Sequence, residues 1–166
     1  MKLRQLLSGI EAPAPATDGE LTGVCTDSRL VQKGNLFIAV PGSKDDGSKY
    51  VADAVAKGAA AIVSEKELTG VKVPKVLVPN ARKALALIAA NWFGNPAKEL
   101  TLLGITGTNG KTTTSWLLES MAQAGGATTG LLGTIANRWS GESRVPTHTT
   151  PEPLSLHETF RQMLDS

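Results

Sequence analysis

The stretch GITGTNGKTTTSWLLE, residues 104–119, sets glycines and a lysine directly in front of a helix-like pattern. Just before and across it, TLLGI at residues 101–105 is short, apolar and bounded, which predicts a buried strand. Trp116, Leu117, Met121 and Ala124 recur at helical spacing up to Gly125-Gly126, which predicts a helix. Strand, glycine loop, lysine, helix is the order a phosphate cradle needs. Gly107 and Gly110 let main-chain N–H groups turn inward without side-chain obstruction. The helix N-terminus adds partial positive charge where an anion would lie. Lys111 can then reach the β- and γ-phosphates of a nucleoside triphosphate, and the Thr112 hydroxyl can ligate the Mg²⁺ between them. The strict pattern G-x-x-x-x-G-K-[ST] would place its first glycine at position 105, where Ile105 stands between Gly104 and Thr106. The plainer alternative is a glycine turn followed by an exposed lysine.

The rest of the chain alternates short apolar runs with helical patterns. Residues 11–20, EAPAPATDGE, read as a loop after a short opening helix. Leu36 to Val40, bounded by Gly34 and Pro41-Gly42, predicts a buried strand. Ser48 is the expected cap of a helix carrying Tyr50, Val51, Ala54 and Val55, with Gly58 just past its end. AAAIVSE and KVLVP predict two further strands, and Asn80 caps a helix with Ala81, Ala84, Leu85, Ile88, Ala89 and Trp92 on one side. The fold class expected is α/β. The boundary is expected in GNPAKEL, residues 94–100, where a helix stop, a proline and charged residues come together before a new strand at Thr101.

Composition excludes several functions. A formal charge of +2 is too small to argue for nucleic acid. No apolar stretch approaches the ~20 residues that span a bilayer, so no membrane insertion is expected. The single Cys25 fits a half-buried strand position in a reducing compartment, and a cytoplasmic location is expected.

The wording GTNGKTT resembles the ATP-dependent Mur ligases and their relatives, the folylpolyglutamate synthetases. TDSR at residues 26–29, GNLFIAVPG after it, Asp46-Gly47 and HTTPEP at residues 148–153 resemble the Mur branch that extends UDP-muramoyl dipeptide, and argue against a folate substrate. The resemblance implies a small α/β domain at residues 1–98 that binds the uridine nucleotide, followed at residues 99–166 by the start of a phosphate-loop α/β ATPase domain, and two ligands, ATP with Mg²⁺ and UDP-N-acetylmuramoyl dipeptide. It implies that ATP sits on Gly107, Thr108, Asn109, Gly110, Lys111, Thr112 and Thr113, with Lys111 catalytic and Thr112 on the metal. It assigns Thr26 and Ser28 to the uridine diphosphate end, Ser43, Lys44 and Asp45 to a loop near the nucleotide, and Thr149 and Thr150 to the muramoyl peptide. His148 is read as a polar contact or bystander.

The implied reaction is ligation of diaminopimelate or lysine to the D-glutamate carboxylate through an acyl phosphate, in peptidoglycan precursor synthesis. The resemblance also implies that the C-terminal portion of the same enzyme is missing. Glu119, Glu142, Glu152, Glu158 and Asp165 are the carboxylates after Lys111, and none ends an apolar strand as a second Mg²⁺ ligand should. Binding without turnover is therefore expected of this chain. The alternative is a non-catalytic nucleotide-binding or interaction module. From the residues alone, TDSR also reads as a polar turn in which Asp27 caps the backbone and pairs with Arg29.

Overall fold

The computed structural model of the protein describes residues 1–15, 17–42, 46–146 and 150–166. The chain divides into two compact units, Met1–Gly94 and Asn95–Ser166. The division lies inside the GNPAKEL segment.

The first unit is a four-stranded parallel sheet in chain order: β1 (Gly23–Cys25), β2 (Asn35–Ala39), β3 (Ala61–Ser64) and β4 (Lys75–Leu77). Parallel neighbours need crossovers: α2 (Val51–Ala56) lies in the one that joins β2 to β3, while α1 (Leu3–Leu6) and α3 (Ala81–Trp92) flank the sheet in sequence. β2 is buried along its whole length because it lies inside the sheet with strands on both sides. Its side chains alternate between faces. Phe37 and Ala39 join Ile62, Val51, Ala54, Ala59 and Val31 in one apolar cluster. α3 packs on β2, and α1 packs on α3. The Asn91 amide fastens α1 by donating to the carbonyls of Leu6 and Ser8, each at 2.9 Å.

The expected cap of α3 is present: Asn80 Oδ1 accepts from the Lys83 amide at 2.8 Å. Glu65 adds a second acceptor, taking the Ala81 amide at 2.7 Å, so the carboxylate sits where the helix dipole favours it. The expected cap at Ser48 is corrected. Asp46 does the capping, accepting from the Ser48 amide at 2.9 Å and opening a 3-10 turn, Gly47–Tyr50, that runs into α2. A carboxylate two residues before the amide closes the tighter Asx turn, which leaves Ser48 inside the turn as donor. Gly47 follows because a Cβ there would meet the Val40 N and O atoms at 2.8 Å, and backbone cannot move aside.

Lys66 pairs with Asp46, and that ion pair together with the Ser48 amide holds the Asp46 carboxyl down at about 2. A carboxylate with a depressed folded pKa stabilises the fold above its unfolded value near 3.8 and loses that contribution as pH falls through about 2. Asp46→Asn should therefore melt below the parent at pH 7, with the two melting curves converging as pH is lowered from about 4 to 2. A gap that persisted at pH 2 would contradict this.

The second unit joins α4 (Lys111–Ala124), an antiparallel sheet of β5 (Gly130–Leu132), β6 (Asn137–Trp139) and β7 (Glu142–Arg144), and α5 (Pro153–Asp165). Ser140 and Gly141 have φ of 44° and 82°, the two-residue hairpin geometry that suits the right-handed twist of β6 and β7. Arg138 on β6 pairs with Glu119 on α4, Nε to Oε1 at 3.1 Å, and its guanidinium lies 4.3 Å from the Trp116 ring centroid. That arginine ties hairpin to helix.

TLLGI is not a strand. Residues 101–105 pair with no described strand, and Leu102 and Leu103 are 50% and 72% exposed. A strand is defined by its ladder partner, and the sheet of this unit is built from residues 130–144 instead. α4 likewise has no buried residue, with Leu117 and Met121 at 60% and 70% exposure.

Candidate functional site

In the second unit, Gly107 and Gly110 adopt φ of 152° and 79°, the second squarely in the left-handed region where a Cβ is strained. The chain thereby turns from residues 101–106 into the first turn of α4. Gly110 occupies the N-cap position, and no side chain caps the helix. The opening amides of α4 thus keep their donor capacity for another acceptor. The Lys111 ammonium folds back over the loop, donating to the Gly107 carbonyl and, at 3.5 Å, to that of Thr108. The lysine is thereby held against the loop.

A groove of about 970 Å³ runs beside this turn. Gly107, Lys111 and Thr112 line it, together with Thr150, which follows the hairpin in sequence. Of the residues expected to hold ATP, those three share the groove wall; Thr108, Asn109, Gly110 and Thr113 are exposed and outside it. Ser115 also lines the groove, its hydroxyl donating to the Thr112 carbonyl at 2.8 Å. Glu119 is a groove residue that the sequence pattern did not single out for binding. Its helical position one turn beyond Ser115 was readable, but its pairing with Arg138 was not. Among the described residues no group of three or more His, Cys, Asp or Glu could hold a metal ion, so Thr112 stands as a lone candidate ligand. A hydroxyl beside a phosphate cradle fits Mg²⁺ that is held mainly by the nucleotide.

In the first unit, the turn Ser28–Leu30 carries the second group of candidates. Asp27 caps it, accepting from the Arg29 amide at 2.9 Å, and its carboxylate takes the Arg29 guanidinium at 2.7 Å. Arg29 thus holds the Asp27 carboxyl at about 2, first through its side chain and then through its amide. The polar-turn reading of TDSR is correct for Asp27 and Arg29. Thr26 is exposed, whereas Ser28 is only 6% exposed. Ser43, Lys44, Asp45 and Thr149 lie outside the described residues, as does His148.

Two family models match the chain. Residues 20–93 match "Mur ligase family, catalytic domain", and residues 105–166 match "Mur ligase middle domain". A UDP-N-acetylmuramoyl-L-alanyl-D-glutamate--2,6-diaminopimelate ligase of Parabacteroides distasonis is 42% identical over 100% of this chain and 35% of its own length. The chain belongs to the Mur ligase family.

A second Mur ligase relative, the ligase of the same name from Bacillus licheniformis, is 40% identical over 99% of the chain and 34% of its own length. The chain thus spans about a third of the relatives it matches. Among solved structures, one of a UDP-N-acetylmuramoyl-L-alanyl-D-glutamate--2,6-diaminopimelate ligase superposes with a TM-score of 0.73 at 28% identity, covering 99% of this chain and 34% of that one. MurF ligase from Thermotoga maritima in complex with ADP gives a TM-score of 0.54 at 26% identity, covering 81% of this chain and 28% of that one. The α/β fold read from the alternation of strands and helices is the Mur ligase arrangement, with an antiparallel sheet added. No helix among the described residues is long and apolar enough to cross a membrane.

Proposed function

We propose that this chain supplies the uridine-nucleotide-binding and phosphate-loop portions of a cytoplasmic ATP-dependent ligase. That ligase joins diaminopimelate, the amine named in the relatives, to UDP-N-acetylmuramoyl-L-Ala-D-Glu. Residues 1–98 hold the uridine diphosphate end through Thr26 and Ser28, with Ser43, Lys44 and Asp45 nearby. Residues 99–166 hold Mg-ATP on the loop at residues 107–113, with Thr149 and Thr150 on the muramoyl peptide. The observation that supports this reading is the groove lined by Gly107, Lys111, Thr112 and Thr150: the loop assigned to the ATP phosphates and the threonine assigned to the peptide front the same space.

The chemistry that this groove suits is charge neutralisation and alignment. A substrate carboxylate must approach the γ-phosphate of ATP, and two anions repel unless fixed positive charge lies between or beside them. The Lys111 ammonium and the uncapped amides of α4 provide that charge at the loop, and the Thr112 hydroxyl offers an oxygen to Mg²⁺. With no group of three or more His, Cys, Asp or Glu among the described residues to hold a metal ion, the chain binds both substrates and turns them over little or not at all.

Calorimetric titration with Mg-ATP and with UDP-muramoyl dipeptide, beside a phosphate-release assay with diaminopimelate, tests this. Saturable binding of both with no tripeptide formed is expected. Tripeptide formation would overturn the binding-without-turnover part, and failure to bind either nucleotide would overturn the assignment.

A further inference from the structure

α4 carries Lys111 and the opening amides that follow the glycine loop, yet none of its apolar residues is buried. A helix without a buried apolar stripe has little packing to fix its rotation about its own axis. It lies against β5, and two of its side chains are gripped from the hairpin by one residue, Arg138. β6 is the middle strand of its sheet, so Arg138 stands on backbone paired along both edges. Its guanidinium meets both carboxylate oxygens of Glu119, Nε to Oε1 at 3.1 Å and Nη2 to Oε2, and lies 4.3 Å from the Trp116 ring centroid. The Glu119 side chain is only 10% exposed, so water does little to compete with that fork. Thr112, Ser115, Trp116 and Glu119 fall at i, i+3, i+4 and i+7 on one face of α4, and all four line the groove. Arg138 is not among the described groove residues. From outside the groove it therefore holds the same stripe that carries the Thr112 hydroxyl at its head.

We propose that Arg138 is a positioning residue for the phosphate end of the groove: by fixing Glu119 and Trp116 it sets the rotation of α4, and so the aim of Lys111, Thr112 and the opening amides, without touching the nucleotide. The inference rests on the reading of residues 107–113 as the Mg-ATP site. A direct electrostatic role makes the opposite forecast for one of the two partners. Removing Arg138 bares the Glu119 carboxylate, and removing Glu119 bares the guanidinium. By charge alone the first change weakens binding of a polyanion and the second strengthens it. Through positioning, either change weakens it.

The test titrates the 166-residue chain with Mg-ATP and with magnesium triphosphate, which has no nucleoside. Arg138→Met and Glu119→Met, both of which keep an unbranched stem, should each lower the affinity for both probes about tenfold, the low end for a hydrogen bond to a charged group. The double variant should lose no more than either single one, because the second removal breaks a contact already gone. Tighter binding by Glu119→Met than by the parent means that charge alone acts, and overturns the proposal. A Glu119→Met loss with Mg-ATP that is absent with triphosphate places Glu119 on the nucleoside, which also overturns it. Hydrogen exchange of the α4 amides separates aim from folding. Protection within residues 115–124 should stay at the parent's level in each variant, and its loss there shows that the pair only holds the helix together, against the proposal. Variants that bind both probes like the parent sink the positioning role and leave the Mg-ATP reading intact, whereas a parent that binds neither probe removes that reading and the proposal together.

Discussion

Lys111→Ala should lower the affinity of the chain for Mg-ATP by about 100-fold, the upper range for hydrogen bonds to charged groups, while uridine diphosphate binding to the first unit stays unchanged. Among the described residues lining the groove, Lys111 is the only cation, and its ammonium already spans the carbonyls of Gly107 and Thr108. Both bonds are solvent-exposed, so losing them should cost the fold little. A triphosphate brings several negative charges to that point, and without the ammonium only the amides of Gly110-capped α4 oppose them. Lys111→Met separates charge from packing, since it keeps the long stem. It should lose as much affinity as the alanine variant, with a melting temperature near the parent's. Binding of Mg-ATP within about threefold of the parent by either variant would remove Lys111 from the site, a margin smaller than one charged hydrogen bond.

Phe37→Ala should destabilise the first unit by about 3–5 kcal/mol, the usual cost of emptying a buried aromatic site. Phe37 is fully buried in β2 and packs in the cluster with Val31, Val51, Ala54, Ala59 and Ile62, which come from α2, β3 and the connecting segments. Neighbours held by two flanking strands and α2 cannot collapse into the space, so the cavity persists. Domains of this size hold about 5–15 kcal/mol in all, so the variant should sit near the edge of unfolding and melt roughly 15 °C or more below the parent. Leu103→Ala is the contrast. Leu103 is exposed, and its truncation should change stability by no more than about 0.5 kcal/mol. Urea denaturation followed by circular dichroism measures both, and a Phe37→Ala loss under about 1 kcal/mol would show the cluster to be loosely packed.

How much was readable divides along the range of the interaction concerned. The α3 cap needed only Asn80 and the amide of Lys83, three residues on, and the pattern named it. The strand at β2 needed only an unbroken apolar run between turn residues, and it too was named. The hairpin of β6 and β7 was not, although Ser140-Gly141 between Trp139 and Glu142 is a local turn signal. Its strands are only three residues each, too short for alternation to stand out. The capping of the turn before α2 went to Asp46 and not Ser48: both residue types favour helix starts, and only geometry chooses between them.

Local chemistry was settled by residue order alone: a glycine turn whose lysine opens a helix, and the Asn80 cap before the apolar stripe of α3. Each of those depends on atoms within a few residues of one another, so the chain carries them wherever it folds. The tertiary structure decided which distant groups became partners. It put Thr150 on the groove of the glycine loop, set the Lys57 ammonium on both the Ser28 carbonyl and Asp53, and left residues 101–105 without a ladder although their pattern promised one. A hydrogen-bond partner tens of residues away leaves no local trace, because what selects it is the free energy of packing whole elements together.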